Sequence, residues 1–251
     1  MMREKRELPP KNERIIEPFK LFGNVYFVGS YGESSHVIDT GAGLVMIDTG
    51  STPNLQIVLS GLEKLGFAPT DVKYIINSHW HHDHTEATKA MAELSGAKTL
   101  IGREDYEKAK RFFDADILVS EGDTLTLGNT TFEFIETPGH TKGTLSIFFN
   151  AENNGRTVRA GMFGGAGVNT LHQGKFDYEG CREDYRKSVR RLMNEPVELF
   201  IGNHSWNNHT YEKWLDLVET GENYFVDPEA WTKFLRSCER RLDETIAKDT
   251  I

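Results

Sequence analysis

The first half of the chain alternates between short apolar runs and stretches with helical spacing. Runs of β-branched and aromatic residues, broken by glycine, predict strands with tight turns at 24–29, 35–40 and 43–50, and a buried strand at 72–78. Apolar residues at helical spacing predict a helix over 52–66, then helices at about 85–94 and 103–113 with a short strand near 99–101 between them. Residues 1–20, which include Pro9 and Pro10, precede this pattern and suggest an N-terminal arm.

The second half repeats the theme of strands in meanders with helices at intervals. Strands are expected in the segments TLTL, TFEFIET, TLSIFF and TVRAGMF, and again at 197–202. Helices are expected at 179–193, at 211–220 and from Asp227-Pro228 to about Lys248, because aspartate is a good N-cap and proline suits the first helical position. This order predicts an α/β fold of the four-layer αββα type, two packed sheets with helices outside, as a single domain over 21–251.

Composition and charge limit the classes of partner. The 251 residues carry a net charge of -9, which weighs against nucleic acid because phosphate binding needs a positive face. No apolar run approaches the length of a membrane span, and the charged N-terminal stretch lacks the apolar segment of a secretory signal, so a cytoplasmic protein is expected. Cys181 and Cys238 have no metal-binding spacing and are expected to be free thiols. The oligomeric state is left open, with a monomer compatible.

The segment NSHWHHDHTEA, residues 77–87, is the strongest chemical signal in the chain. His79 and His81 are two residues apart in an extended segment, so both side chains point to one side. Asp83 and His84 follow at the turn into a helix, and four such nitrogen and carboxylate ligands in six residues can serve two adjacent zinc ions. A histidine-rich surface loop that binds nothing is the alternative. Further histidines in the glycine-containing contexts TPGHTKGT and LFIGNHSW favour the metal site.

From Gly23 onward the chain resembles the metallo-β-lactamase superfamily, and most of all the third subclass of metallo-β-lactamases. The segments GNVYFVG, VMIDTG, the HxHxDH motif, TPGHTKGT and DYRKSVRRL are similar to segments of that subclass and occur in the same order. The resemblance implies a first zinc held by His79, His81 and His140, and a second zinc held by Asp83, His84 and His204. It also implies that Asp48 supports the metal site, although a plain turn aspartate is an alternative for this residue.

The resemblance further implies a small-molecule substrate, with a metal-bound hydroxide that cleaves an amide or lactam, or a related ester or lactone. Asp83 would orient the hydroxide and relay its proton. Many superfamily hydrolases bridge their metals with an aspartate, and by alignment Gly161 stands at that position, so the second zinc is expected to bind more weakly. Where the subclass has serines that contact substrate, this chain has Met162 and Gly164. Candidate substrate contacts are Tyr31, Met162 and Trp206.

Other activities stay open on the sequence alone. A lactonase or a thioesterase similar to glyoxalase II would use the same chemistry on another bond. An iron-dependent dioxygenase on the same fold is the alternative from a different class, although flavodiiron-type sites replace the middle motif histidine with glutamate and this chain has His81. A nuclease of the superfamily and a metal-binding relative with little catalysis are also conceivable.

Overall fold

Two mixed β-sheets form the centre of the fold. The computed structural model of the chain describes residues 7–249. The first sheet has the order β1-β2-β3-β4-β5-β6-β7 and the second has the order β12-β11-β10-β9-β8. The strands are β1 Phe19–Phe22, β2 Val25–Phe27, β3 His36–Asp39, β4 Leu44–Ile47, β5 Val72–Ile76, β6 Lys98–Gly102, β7 Ile117–Val119, β8 Thr124–Leu127, β9 Thr130–Glu136, β10 Leu145–Asn153, β11 Arg156–Phe163 and β12 Leu199–Phe200.

Each sheet begins or ends as an antiparallel meander and changes to parallel pairing where helices intervene. Strands β1 to β4 pair antiparallel, and β4 to β7 pair parallel. Strands β8 to β11 pair antiparallel, and β12 joins β11 in parallel. The helices are α1 Leu55–Lys64, α2 His82–Thr85, α3 Thr88–Ser95, α4 Tyr106–Ala109, α5 Cys181–Leu192, α6 Thr210–Thr220 and α7 Ala230–Asp249.

Three apolar clusters define the layers. The largest lies between the sheets and combines residues such as Phe27 and Ile47 of the first sheet with Phe132 and Phe149 of the second. A second cluster packs the outer face of the first sheet against α1 and α3. A third packs the outer face of the second sheet against α5 and α7, around the fully buried Trp231. The predicted α/β fold with a four-layer αββα arrangement is therefore confirmed.

The structure also contains elements that the hydrophobic pattern did not indicate. β1 begins at Phe19, inside the range 1–20 that suggested an arm, and β7 was not anticipated. The expected helix over 103–113 is only a 3-10 turn at Arg103–Asp105 followed by the four-residue α4. Short strands and turns of this kind are held by tertiary hydrogen bonds more than by local preference, so their own sequence gives little signal.

The arginine side chains of α5 form ion pairs with acidic residues of the same protein. Arg186 contacts Asp243 at 2.7 Å, and Arg190 contacts Glu239 at 2.8 Å, both on α7. These pairs fix α5 against α7 over the third apolar cluster. α7 begins at Ala230, two residues later than the sequence predicted, and Asp227 Oδ1 accepts the backbone N–H of Glu229 at 2.9 Å in the turn that precedes it.

Other expectations concern cysteines and membranes. Both cysteines are buried and free, as predicted. Within residues 7–249, none of the helices combines the length and the apolar character that crossing a bilayer requires.

Candidate metal centre

Three histidine nitrogens converge at the edge where the two sheets meet. His79 and His81 follow β5 in the loop before α2, and His140 lies in the loop between β9 and β10. His79 Nε2 lies 3.0 Å from His81 Nδ1, His81 Nδ1 lies 2.9 Å from His140 Nε2, and His140 Nε2 lies 3.2 Å from His79 Nε2. Nitrogens bound at about 2.0–2.1 Å to one tetrahedral zinc lie about 3.3 Å apart, so this triangle has the size that such an ion needs.

In His79 and His140, the hydrogen bond that Nδ1 makes determines that the unprotonated Nε2 faces the centre. His140 Nδ1 lies 3.0 Å from the carbonyl oxygen of Gly167, to which it donates its proton. Ser78 Oγ donates to Asp48 Oδ2 at 2.7 Å and therefore accepts from His79 Nδ1 at 3.1 Å. Both rings thus turn a bare Nε2 to the centre, where facing lone pairs repel one another unless a cation lies between them. Burial, followed by the neighbouring histidines, holds the pKa of His79 and of His140 well below 6.5, so both rings are in the neutral form that binds metal.

Asp83, His84 and His204 form a second group beside the first. Asp83 Oδ2 lies 3.5 Å from His84 Nε2 and 3.8 Å from His204 Nε2. His204 Nδ1 donates to the carbonyl oxygen of Gly32 at 2.6 Å, which leaves its Nε2 free for a metal. The buried His84 Nε2 has no hydrogen-bond partner in the described part of the chain, as expected of an atom reserved for a ligand. The rings of His79 and His84 are 4.2 Å apart, so the two groups are adjacent.

Asp48 is linked by hydrogen bonds to both groups. This fully buried residue follows β4 and has φ +56°, a strained conformation for a non-glycine residue. Its Oδ2 accepts His84 Nδ1 at 2.8 Å as well as Ser78 Oγ, and its Oδ1 accepts the Ser78 backbone N–H at 2.7 Å. Burial alone would lower the pKa of His84, but the charge and hydrogen bond of Asp48 raise it on balance. Asp48 thus contacts His84 directly and His79 through Ser78, and its supporting role at a metal stays a prediction.

Asp105 joins the two loops that carry the first group, and no motif in the sequence distinguishes it. This buried carboxylate accepts the backbone N–H of Trp80 at 3.1 Å, between the ligands His79 and His81. It also accepts Thr141 Oγ1 at 2.6 Å and the Gly143 N–H at 2.7 Å in the His140 loop. Burial raises the pKa of Asp105 to about 6 despite these hydrogen bonds. Only its position at the end of a strand could have indicated a role.

A cleft of about 470 Å³ opens over both groups. Its lining includes His81, Asp83, His140 and His204, together with Trp206 and Arg241 at the rim. Trp206 is 43% exposed and stacks on the His204 ring with centroids 4.4 Å apart. Trp206 therefore forms part of the wall of the cleft, and its role as a substrate contact stays a prediction.

The other candidate contacts lie elsewhere. Met162 is fully buried in the core between the sheets and does not line the cleft, so the expectation that it touches substrate is wrong. Tyr31 is buried beneath Trp206 at 5.9 Å between ring centroids, and its hydroxyl accepts Arg14 at 2.8 Å, which places it behind the cleft wall. A Cβ at Gly161 would meet Val197 and Phe148 on the helix side of β11, so position 161 faces away from the space between the sheets.

That orientation corrects the alignment of Gly161 with the position of a bridging aspartate. The residue of β11 that packs between the sheets is its neighbour, Met162. Neither side chain carries a carboxylate, and the two groups of ligands share no residue. The position of β11 that faces the space between the sheets is thus occupied by Met162, and the absence of a carboxylate that bridges two metals stays a prediction.

The fold and these two groups together define an αββα protein with two adjacent groups of side chains, each able to hold a metal ion. A family profile described as the Metallo-beta-lactamase superfamily matches residues 28–204, a range that contains all six of these residues. The chain belongs to the metallo-beta-lactamase superfamily.

The chain is also similar to solved metallo-beta-lactamase structures and to curated metallo-hydrolases and hydroxyacylglutathione hydrolases. BJP-1, a subclass B3 metallo-beta-lactamase of Bradyrhizobium japonicum, superposes with TM-score 0.87 and 28% identity over 96% of this chain and 98% of that one. FEZ-1 from Legionella gormanii superposes with TM-score 0.87 and 25% identity, over 94% and 98%. A hydroxyacylglutathione hydrolase of Chelativorans sp. is 35% identical over 150 residues, 59% of this chain and 53% of that protein. A probable metallo-hydrolase of Methanocaldococcus jannaschii is 30% identical over 42% of this chain and 46% of its own length, so the chain spans about half of these relatives.

The similarity to the subclass B3 structure of BJP-1 agrees with the resemblance to the third subclass that the motifs indicated.

Proposed function

We propose that this chain is a hydrolase that holds two zinc ions and cleaves an amide or lactam, or a related ester or lactone. The observation that carries the proposal is the pair of adjacent three-residue groups at the floor of an open cleft. His79, His81 and His140 would hold one ion, and Asp83, His84 and His204 the other. Imidazole and carboxylate donors of this kind suit zinc. Metal ions held there would supply hydroxide at neutral pH and would polarise a carbonyl group.

The protein's own contribution is positioning and proton transfer. Asp83 lies at the cleft with 28% of its side chain exposed, and its Oδ2 is the oxygen nearest to His84 and His204. Its Oδ1 is the atom that we expect to take up the proton of the attacking water and to deliver it to the leaving group. Asp48 and Asp105 hold the ligand loops, so the donor atoms are in place before substrate arrives.

A lactam is the preferred substrate class because the similarity to the metallo-beta-lactamases BJP-1 and FEZ-1 covers nearly the whole chain. The second candidate is a thioester, which the hydroxyacylglutathione hydrolase relatives favour over about half of their length. The two groups share no carboxylate ligand, which favours a lactamase-like hydrolase over a thioesterase. None of the relatives named above supports an iron-dependent dioxygenase. Zinc as the native metal, a cytoplasmic location and a monomer stay predictions.

The test combines metal analysis with a substrate panel. Protein purified without added metal is analysed for zinc and iron, then loaded with zinc and assayed with nitrocefin, a lactone and a thioester. We expect turnover of at least one of the three. Two bound zinc ions without turnover of any of them would refute the hydrolase, and iron in place of zinc would favour the dioxygenase.

The matched variants are His79→Ala and His172→Ala. His79 is a buried ligand, whereas His172 lies outside the cleft beside Asp249. The first change should abolish hydrolysis and lower the zinc content, and the second should alter neither. Unchanged activity in His79→Ala would exclude the site as drawn.

A further inference from the structure

A second cavity adjoins the cleft over the metal centre. It has a volume of about 450 Å³ and lies between the loop after His204, the start of α6 and the exposed side of α7. The cavity and the cleft share three lining residues, Trp206, Asn207 and Arg241. A molecule bound at the two metal groups can therefore extend past Trp206 into this second cavity.

The lining of this cavity is positively charged. It contains four cationic residues and one carboxylate, namely Lys213, Lys233, Arg240, Arg241 and Asp227. Lys233 is paired with Glu229 at 2.6 Å and Arg240 approaches Glu244 at 3.8 Å, so partners outside the lining balance these two. The charges that are not balanced by such partners are the two cations Lys213 and Arg241 and the carboxylate Asp227. The balance is one net positive charge, which suits a monoanion such as a carboxylate better than a dianionic phosphate.

Arg241 stands at the junction without an acidic partner among residues 7–249. Its guanidinium donates to the carbonyl oxygens of Ser237 and Ala166, each at 3.4 Å, and contacts Cys238 Sγ at 3.0 Å. These three contacts are with weak or distant acceptors and involve Nε and one of the two terminal nitrogens, which leaves Nη1 for a ligand. An arginine that lacks a carboxylate at the rim of a catalytic cleft is suited to bind one bidentately.

Lys213 adds a second positive charge in the cavity wall. Its Nζ is buried, lies 5.6 Å above the Phe225 ring and has no hydrogen-bond partner within the described residues. Burial lowers the pKa of this ammonium, against the opposing effect of Asp227. A buried ammonium without a partner is costly, and an anion in the adjoining cavity would reduce that cost.

We infer that the substrate of the dinuclear centre carries a carboxylate remote from the scissile bond, and that Arg241 binds this carboxylate in the second cavity with Lys213 adding to the field. The inference rests on the proposed hydrolase function and names its substrate class. Arg241 is a residue that selects substrate and takes no part in bond cleavage.

The experiment compares charged and neutral substrates of the zinc-loaded enzyme. The probes are mono-4-nitrophenyl esters of succinic, glutaric, adipic and suberic acid, each beside the 4-nitrophenyl ester of the monocarboxylic acid of equal chain length. We expect one chain length to show a KM about tenfold below that of its neutral counterpart, the effect of one charge-assisted pair. Arg241→Gln should remove this ratio, and Lys213→Met should reduce it by a smaller factor.

The control is Arg236→Gln, an exposed position on α7 that lines neither cavity. It should keep the ratio of wild type. If Arg241→Gln fails to fold, as judged by its thermal melt, Lys213→Met decides alone. Equal KM for charged and neutral esters at every length, or a ratio that survives both substitutions, would overturn the inference and leave the hydrolase standing. No hydrolysis of any ester, together with no turnover in the substrate panel, would count against the hydrolase itself.

Discussion

His36 makes the stability of this protein depend on pH without belonging to the metal centre. It lies in β3 opposite Ile47, is fully buried, and has no hydrogen-bond partner at either ring nitrogen within the described chain. Its nearest ring neighbour is Phe27, at 5.5 Å between centroids. Burial lowers the pKa of His36 from 6.5 to about 4, against the charge of Asp48, which acts in the opposite direction.

The sign of the effect follows from the two protonation states. In the unfolded chain His36 takes up a proton below pH 6.5, whereas the folded protein keeps it neutral down to about pH 4. The unfolded state therefore binds more protons across this window, and the free energy of unfolding falls as the pH falls. Integration of the linkage gives a loss of about 2 kcal/mol between pH 7.5 and 5, and about 3 kcal/mol by pH 4.

The perturbation is His36→Leu, which removes the titrating group and fills a similar volume. At pH 7.5 the variant should be more stable by about 1–2 kcal/mol, because two buried nitrogens without partners are removed. The difference between variant and wild type should then grow by about 2 kcal/mol down to pH 5. His172→Leu, at a partly exposed position, controls for the exchange of histidine for leucine.

The assay is urea unfolding at several pH values, followed by circular dichroism. A chelator is present throughout, so that the ligand histidines are metal-free and titrate alike in wild type and variants. A constant difference between wild type and His36→Leu from pH 7.5 to 5 would refute the reasoning. That result would mean that water or a local rearrangement solvates the imidazolium in the folded state.

Three further predictions concern the metal centre. Zinc titration should resolve a tight first site and a second site at least about tenfold weaker, because the second group shares no carboxylate with the first; two equally tight sites would contradict this. Asp48→Asn should weaken the second zinc by about 10- to 100-fold, since His84 Nδ1 loses its carboxylate acceptor, and an unchanged titration curve would exclude that role. Asp105→Ala leaves three donors without an acceptor and should lower the free energy of unfolding in urea by about 2–4 kcal/mol, whereas Glu104→Ala at an exposed neighbour should change it little.

The sequence was informative about the ligands because the local chain already places them. His79, His81, Asp83 and His84 lie within six residues, and strand geometry alone turns the first two to the same side. Asp105 and Arg241 gave no such signal. Their roles arise where a 3-10 turn meets two distant loops and where α7 crosses the mouth of the cleft. Contacts of this kind depend on how the layers pack, which a single sequence does not specify.

The incorrect assignment of Gly161 in β11 to the position of a bridging aspartate arises from strand geometry. Residues 161 and 162 point to opposite faces of the sheet, so an alignment that is displaced by one residue assigns an interior position to the exterior. The structure shows which side of the sheet each residue faces. A Cβ at Gly161 would clash with Val197 and Phe148 on the helix side, whereas Met162 packs between the sheets.

Two buried carboxylates, Asp48 and Asp105, hold different parts of the candidate metal centre in place. Asp48 links β4 to Ser78, and through it to His79, and also binds His84, so a single residue orients a ligand of each group. Asp105 links the His79–His81 loop to the His140 loop, which belongs to the other sheet. The centre therefore depends on the packing of the two sheets against each other. A substitution that shifts the sheets should weaken metal binding at the first group through Asp105, even when His79, His81 and His140 are unchanged.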